Sequence, residues 1–334
     1  MTENQNTDVL IVGAGMAGLN AARALIERGL SVVIVERENE VGGRMATRRV
    51  GPGLADEGCQ FFTVRVPEFS ALVESWTAQG LVYEWSRGWN DGSLAVTRDG
   101  RPRYAVRNGF VALAKHLARN LDIRLNVILE SIRPVQDGWE ARDSSGRTYR
   151  SRALLLTPPV PLALGLLDAG GAALADDDRQ ALERIEYEPC LTGLFWVEGF
   201  NGLPAPGAVQ RPEANLRWIA DNRRKGISPD AVVLTAQASP TYSRQLWDIT
   251  DQQVLSAMRV DLLPFIGDDA RIALMQLRRW RYSQVTRPHP QPFLLATGTP
   301  PLVFAGDAFA EPSLEGAAVS GLQAAQALAA ALAG

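Results

Sequence analysis

The sequence predicts an α/β protein built on a parallel sheet. A β-branched run at residues 8–12 is followed by a glycine-rich turn, a helical pattern and a second apolar run at residues 30–36, which together form a strand–helix–strand unit. A last apolar run at residues 302–305 precedes a small-residue helix at residues 316–332. The chain has 334 residues, and two domains are expected because a single core rarely exceeds about 300 residues.

The other predicted elements follow in chain order. Between residues 121 and 156, strands alternate with turns, and the proline-rich residues 157–161 end that block. We expect the C-terminal stretch to return to the N-terminal sheet, so that the two domains are interleaved. Helical patterns occupy residues 19–28, 67–79, 108–119, 176–185 and 251–263. Further strand patterns occupy residues 194–197, 216–220 and 232–238.

Composition argues against several function classes. The net charge of −3 and the pI near 5.6 argue against bulk attraction to nucleic acid or to an anionic membrane. The two cysteines and two histidines have no metal-ligand spacing, so no metal site is predicted. The N-terminus has no signal-peptide pattern, and Ser320, Gln323 and Gln326 interrupt the C-terminal apolar run. We therefore expect a cytoplasmic protein without a membrane-spanning helix.

The turn after the first strand has the pattern G-x-G-x-x-G and opens a helix. The first glycine permits the tight turn, the second lets a pyrophosphate approach the backbone, and the third lets helix and strand pack closely. The N-terminus of the helix then faces the pyrophosphate. The sequence therefore predicts a dinucleotide site, with contacts from Gly13, Gly15, Met16, Ala17 and Gly18.

Two features after the second strand indicate which dinucleotide is bound. Glu36 ends that strand, 23 residues after Gly13, where its carboxylate can accept hydrogen bonds from ribose hydroxyls and would repel a 2′-phosphate. The glycines of residues 41–44 let the backbone come close to a phosphate, and Arg44 can place its guanidinium against it. Plain NAD dehydrogenases do not need this loop, which favours FAD. The residues assigned here are Glu36, Arg37, Gly42, Gly43, Arg44 and Met45.

A third cluster follows the predicted strand near the C-terminus. An aspartate just past a strand can accept a hydrogen bond from a ribityl hydroxyl, and small residues at the start of a helix admit the edge of a flavin. The helix N-terminus would favour negative charge on the flavin. Taken alone, the alanine-rich helix is equally typical of a packing helix. The residues assigned to this cluster are Gly306, Asp307, Glu315, Gly316 and Ala317.

Three segments carry a family resemblance. Residues 12–25, residues 40–49 with 56–63, and residues 303–325 resemble the flavin-dependent amine oxidase superfamily, whose motifs include E-x₄–₆-G-G-R and D-x-G-x-Q-x-F. In those flavoproteins the second motif passes near the isoalloxazine, which adds Gln60, Phe61 and Phe62 to the cofactor site. A polar turn before an aromatic core pair is the alternative reading of these residues.

The resemblance implies a fold and a domain division. It implies a Rossmann-type FAD-binding domain interleaved with a substrate domain built on a mixed β-sheet, like that of p-hydroxybenzoate hydroxylase. On this basis we assign residues 1–65, 100–160 and 295–334 to the FAD-binding domain. Residues 66–99 and 161–294 form the expected substrate domain.

Two further segments narrow the resemblance to the bacterial renalase-like branch, residues 216–225 and residues 279–282. For renalases this implies oxidation of isomeric dihydronicotinamides with reduction of oxygen to hydrogen peroxide. The chain departs from the pattern at Phe61, where the family has Tyr, and at Gln237, which aligns with a family His. A family Trp is retained as Trp280. Phe61, Gln237 and Trp280 are the predicted substrate-pocket residues.

The expected function is hydride transfer from a small reduced substrate to non-covalent FAD, with O₂ as electron acceptor. Cys59 is expected to be a core residue rather than a covalent flavin attachment, and Trp85 and Trp89 either line the pocket or pack. No side chain is assigned a certain catalytic role, and neither the two lysines nor the two histidines are expected to act as the base. The alternatives are an amine oxidase or desaturase-like enzyme on an apolar substrate, and a non-catalytic FAD-binding protein.

Overall fold

The computed structural model describes residues 6–92, 96–267, 269–298 and 300–333. The chain divides into two compact units. The first unit comprises Met1–Gly43, Ala114–Glu186 and Val285–Gly334, and the second comprises Arg44–Leu113 and Tyr187–Gln284.

The α-helices of the described residues are α1 (Met16–Ile26), α2 (Pro67–Ala78), α3 (Phe110–Leu117), α4 (Val160–Ala169), α5 (Asp176–Glu183), α6 (Pro240–Gln245), α7 (Asp251–Ile266) and α8 (Leu314–Ala333). A short 3₁₀ helix spans Gly43–Met45.

The β-strands of the same residues are β1 (Asn6–Val12), β2 (Val32–Val35), β3 (Thr47–Val50), β4 (Gly53–Asp56), β5 (Val82–Asn90), β6 (Val96–Val106), β7 (Ile123–Arg124), β8 (Leu129–Val135), β9 (Gly138–Asp143), β10 (Thr148–Leu156), β11 (Glu186–Glu198), β12 (Ala208–Gln210), β13 (Leu216–Asp221), β14 (Val232–Ala238), β15 (Arg271–Arg287), β16 (Leu294–Leu295) and β17 (Leu302–Phe304).

The first unit contains an eight-stranded sheet with the order β16-β17-β10-β1-β2-β7, to which β9 and β8 add beside β10. Strands β17, β10, β1, β2 and β7 are parallel, and β1 and β2 are fully apolar from Val9 to Val12 and from Val32 to Val35. Because parallel strands end at one edge, the residues that follow β1, β2, β10 and β17 lie close together there. The predicted parallel sheet, to which the C-terminal strand returns, is confirmed.

The C-terminal helix α8 packs on α1 in the first unit. A Cβ added to Gly321 would lie 2.2 Å from the Ala17 carbonyl oxygen, so the glycine allows close approach of the two helices. Among the described residues, α8 is the one helix long and apolar enough to cross a membrane by length and composition. The expectation that its polar residues make this helix too polar to span a membrane is therefore wrong as far as composition is concerned. The core helix of a soluble protein meets the same criteria of length and composition.

The second unit contains a seven-stranded mixed sheet with the order β15-β11-β14-β13-β12-β5-β6. Side chains alternate between its faces, as the β14 sequence illustrates. Val232, Leu234 and Ala236 pack into a core cluster with residues of α7, whereas Val233 packs in a separate cluster with Val50 and Ala55. The predicted α/β architecture with a mixed second sheet is thus confirmed.

Several elements differ from the sequence-based expectation. The predicted block of strands and turns at residues 121–156 begins with the two-residue strand β7, and α4 begins at Val160, within the proline-rich residues 157–161 that end the block. The 17-residue strand β15 and the hairpin β5–β6 have no counterpart among the predicted elements. The compact units also place residues 44–65 and 100–113 in the second unit, so the predicted domain roles remain a proposal.

Candidate functional site

In the first unit, the glycine-rich turn has the geometry that its motif predicts. Gly13 has φ +101°, and a Cβ there would lie 2.5 Å from Thr157 Oγ1. A Cβ on Gly18 would lie 2.1 Å from the Gly13 carbonyl oxygen, so this position requires glycine for close helix–strand packing. An added Cβ on Gly15 meets nothing within 4 Å, which leaves open space before α1.

The open space before α1 fits a dinucleotide phosphate. Gly15 is the N-cap of α1 and supplies no side-chain cap, and the first turn contains no acidic residue. The N–H groups of the first turn, which begins with Met16 and Ala17, have no intrahelical partners and favour an anion. An added Cβ on Gly43 also meets nothing within 4 Å. The residues present therefore fit the phosphates of FAD.

Glu36 is buried beside the same turn. Its Oε2 accepts a hydrogen bond from the Ala14 backbone N–H at 2.8 Å, and its Oε1 accepts one from the Glu38 N–H at 3.0 Å. A carboxylate has about four acceptor positions, so about two remain for ribose hydroxyls. Gly42 donates its N–H to the Ala14 carbonyl oxygen at 2.9 Å, which ties the second glycine pair to the first turn. Arg37 is exposed and pairs with Glu38 at 3.6 Å.

The C-terminal cluster lies at the carboxyl end of β17. Gly306 has φ +138° and donates its N–H to Ser320 Oγ at 2.8 Å, which joins the end of β17 to α8. Glu315 is buried in the first turn of α8, and a Cβ on Gly316 would lie 1.9 Å from the Glu311 carbonyl oxygen. The structure thus brings the glycine-rich turn, Glu36 and this cluster to the ends of neighbouring parallel strands. Asp307 is half-buried, and Ala317 is buried in the first turn of α8.

In the second unit, residues 56–62 run across one face of the mixed sheet; this stretch is here called the motif segment. The Trp280 indole N–H of β15 donates to the Glu57 carbonyl oxygen at 2.9 Å. On β14, Gln237 Nε2 donates to the Gly58 carbonyl oxygen at 2.7 Å. On β13, the Trp218 indole N–H donates to Gln60 Oε1 at 3.3 Å.

The far end of the motif segment meets aromatic side chains. The Phe61 ring centroid lies 5.0 Å from that of Trp89 and 5.4 Å from that of Trp218. Trp85 lies 4.7 Å from Trp89, and Phe62 pairs through its backbone with Tyr104 on β6. Trp89 is buried and packs, whereas Phe61 and Trp85 remain partly exposed.

The three predicted pocket residues therefore lie in or against one segment, since Phe61 is part of it and Gln237 and Trp280 hydrogen-bond to its backbone. Phe61, Gln237 and Trp280 are each partly exposed. The polar groups of Gln237 and Trp280 already hold the segment backbone, which is a positioning role that the sequence did not indicate.

A buried ion pair that was not predicted from the sequence involves Asp56, the first residue of the motif segment. Lys225 Nζ lies 2.6 Å from Asp56 Oδ2, and both side chains are 0% exposed. The same ammonium lies 5.1 Å from the ring centroids of Trp85 and of Phe110. The one available signal is that Lys225 is one of 2 lysines in a chain with 32 arginines, and it follows two of those arginines.

Other candidate residues of the second unit have structural contacts. Arg44 Nη1 donates to the Ser283 carbonyl oxygen at 3.1 Å, and Met45 is buried. Burial raises the pKa of the Cys59 thiol to about 12, which disfavours the thiolate. Burial likewise raises the pKa of Tyr83 to about 12.

Family comparisons divide the chain into two matched stretches. Residues 11–76 match the NAD(P)-binding Rossmann-like domain, and residues 77–329 match the flavin containing amine oxidoreductase family.

Oxidases are among the similar proteins in both the sequence and the structure comparisons. Putrescine oxidase of Kocuria rosea is 40% identical over 67 residues, which is 20% of this chain and 14% of that protein. Wild-type putrescine oxidase bound to putrescine superimposes with a TM-score of 0.73 at 15% identity, covering 98% of this chain and 99% of that one. A putative protoporphyrinogen oxidase from Exiguobacterium sp. 255-15 gives a TM-score of 0.72 at 14% identity, with coverage of 98% and 99%. At these identities the structural similarity shows a shared fold and nothing beyond it.

Proposed function

The chain belongs to the flavin containing amine oxidoreductase family, and we propose that it is an FAD-dependent oxidoreductase that takes hydride from a small reduced substrate. When bound, FAD supplies a two-electron acceptor that can pass electrons on to O₂. In the first unit, the turn at Gly13 to Gly18 holds the phosphates and Glu36 binds the ribose. In flavoproteins with the D-x-G-x-Q-x-F motif, the motif segment passes near the isoalloxazine, so its residues are assigned to the flavin side.

The buried position of Lys225 is the main observation that supports hydride transfer without a side-chain base. Its side chain is fully buried, contacts the Asp56 carboxylate and lies over two aromatic rings. A general base must lie within hydrogen-bond reach of the proton that it removes, so this enclosed position is unsuited to that role. The other lysine, Lys115, is exposed and pairs with Glu40.

The two histidines offer no better base. Burial lowers the pKa of His116 on α3, which makes it a weaker base. His289 is partly exposed, and its Nδ1 accepts a hydrogen bond from the Gln291 N–H at 3.1 Å. A dihydropyridine becomes aromatic as it loses hydride and does not need to lose a proton in that step. The chain's own contribution is then to hold the donor carbon at a reactive distance and to exclude water.

We assign the substrate to the isomeric dihydronicotinamides of the renalase-like branch. The resemblance at residues 216–225 and 279–282 supports this assignment. The partly exposed rings of Phe61 and Trp85 suit a planar heterocycle, because aromatic faces stack on such rings.

An amine substrate is the alternative, supported by the fold shared with putrescine oxidase. Buried carboxylates of the motif segment are already neutralised, however. Asp56 pairs with Lys225, and Glu57 Oε2 lies 2.7 Å from Arg48 Nε. An ammonium group therefore gains little from these two carboxylates, which favours a neutral or anionic substrate.

The remaining parts of the proposal concern location and partners. We propose a cytoplasmic protein that uses O₂, with no nucleic-acid or membrane partner; the net charge of −3 supports this. Residues of α8 pack against α1, which supports a core role for that helix. The FAD is held without a covalent bond, supported by the raised pKa of the Cys59 thiol.

Cofactor release and oxygen uptake test the proposal. The purified protein should be yellow, and acid denaturation should release FAD into the supernatant. Oxygen uptake and hydrogen peroxide should then appear with 2- and 6-dihydro-NAD(P) in preference to NADH or putrescine. A colourless protein that cannot be reconstituted contradicts the cofactor, and bound FAD without turnover by any donor indicates the non-catalytic class. Preferential uptake with putrescine moves the protein to the amine oxidases.

A further inference from the structure

We propose that Lys225 is a positioning residue that fixes the motif segment, residues 56–62, through its buried ion pair with Asp56. The inference rests on the proposed function, since that assigns the segment to the flavin side. Lys225 then has a role other than proton transfer. FAD binding then depends on the turn between β13 and β14, which carries Lys225.

The turn that carries Lys225 is fixed at both ends. Its backbone N–H donates to the Asp221 carbonyl oxygen at 2.8 Å, and its own carbonyl oxygen accepts a hydrogen bond from the Tyr83 hydroxyl. Asn222 Nδ2 donates to the Val233 carbonyl oxygen and to Thr235 Oγ1, both at 2.9 Å. The ammonium of Lys225 is thus delivered from a rigid support.

Asp56 is the first residue of the motif segment, and its carboxylate accepts hydrogen bonds from several elements. Its Oδ1 accepts from Thr47 Oγ1 at 2.6 Å and from the Phe110 N–H at 2.8 Å. Its Oδ2 is the partner of Lys225 Nζ at 2.6 Å. The carboxylate therefore joins β3, β4, the start of α3 and the Lys225 turn, and both charged side chains are buried, where electrostatic interactions are stronger than in bulk solvent.

The backbone carbonyl of Asp56 connects the ion pair to the rest of the motif segment. Its carbonyl oxygen accepts from Gln60 Nε2 at 2.8 Å and from Thr235 Oγ1 at 2.9 Å. Gln60 in turn accepts from the Trp218 indole, and Phe61 follows it among the tryptophans. A shift of Asp56 therefore moves the side chains that the proposed function places beside the flavin.

The chemistry of the pair explains why two charges are retained in the interior. Burying an ion pair is costly, and apolar residues of equal volume often give the same or greater stability. The pair instead fixes geometry, because a short contact between an ammonium and a carboxylate sets the relative position of the two chain segments that carry them. The Lys225 ammonium lies 5.1 Å from two ring centroids and 2.6 Å from one carboxylate oxygen, so Asp56 is the carboxylate that fixes its position.

The test compares D56N/K225M, K225R and wild type as apo-proteins titrated with FAD. The double variant leaves no unpaired buried charge, and it should fold with a melting temperature near that of wild type. We expect its FAD affinity to fall about tenfold or more, the loss typical of a charge-assisted contact, and the visible absorption bands of its bound flavin to shift. K225R keeps the cation and should restore part of the affinity and the wild-type bands.

A matched control separates positioning from general stability. Glu140 is a buried carboxylate in the first unit whose Oε1 lies 2.6 Å from Arg133 Nη2. E140Q should lower the melting temperature without changing FAD affinity or the flavin bands. If D56N/K225M folds and keeps both wild-type flavin properties, Lys225 has a purely structural role and the inference is overturned. If wild type itself binds no FAD, the proposed function fails instead.

Discussion

Replacement of Glu36 by alanine should weaken FAD binding and also cost stability, and the structure gives a magnitude for each effect. The carboxylate accepts backbone N–H groups of Ala14 and Glu38, and Glu36 is 7% exposed. Each N–H left without an acceptor costs about 1–3 kcal/mol, so E36A should lose roughly 2–6 kcal/mol of unfolding free energy. Loss of a charge-assisted hydrogen bond to the ribose, worth about 1.5–3 kcal/mol, should weaken FAD binding by about ten- to hundredfold.

The assay is a titration of apo-protein with FAD, followed by quenching of flavin fluorescence, together with denaturant unfolding in the presence and absence of FAD. E130A is the matched control, because Glu130 is exposed on β8 of the same unit and its loss changes the charge equally. E36Q keeps one acceptor oxygen and should lie between wild type and E36A. An unchanged FAD affinity in a folded E36A protein would refute the assignment of Glu36 to the ribose.

Three further outcomes are expected. Cys59 should resist iodoacetamide at pH 8 in the folded protein, because a pKa of about 12 leaves about one thiolate in ten thousand; rapid alkylation would contradict the raised pKa. The pKa of Glu140 is lowered by side-chain hydrogen bonds from two arginines, so its contribution to stability is present above the unfolded pKa of about 4.3 and is lost as pH falls through the folded value. The E140Q unfolding free energy should therefore vary less with acidification than that of wild type, and equal variation would show that the pair is not involved. K115M, H116A and H289A should each reduce flavin at the wild-type rate, whereas a loss of about a hundredfold with FAD still bound would place a base in the mechanism.

The first-unit site was predictable because its chemistry is local in sequence. A turn between a strand and a helix needs glycine for backbone reasons, and Gly13 with φ +101° and Gly18 against the Gly13 carbonyl oxygen both meet that requirement. Glu36 was predictable because parallel strands end at one edge, which brings residues far apart in sequence to the same place.

The second-unit site was less predictable because its contacts join distant stretches. Asp56 and Lys225 are separated by 169 positions, and neither shows a local signal that they pair. Strand β15 was missed as an element because most of its residues are half-exposed, so it has no clear alternation. Gln237 and Trp280 were singled out by resemblance as pocket residues, which stays a prediction. Their hydrogen bonds to the motif segment depend on sheet order, which a single sequence does not encode locally.

Anaerobic reduction of the bound flavin is the most direct test of the central claim, that this protein takes hydride from a small reduced donor without a side-chain base. The holoenzyme is mixed with 2-dihydro-NAD(P), 6-dihydro-NAD(P), NADH, NADPH and putrescine in separate runs, and loss of visible flavin absorbance is followed. The two dihydronicotinamide isomers should bleach the flavin fastest, and K115M, H116A and H289A should leave that rate unchanged. Fastest bleaching by putrescine, or no bleaching by any donor, would contradict hydride transfer from a reduced nicotinamide.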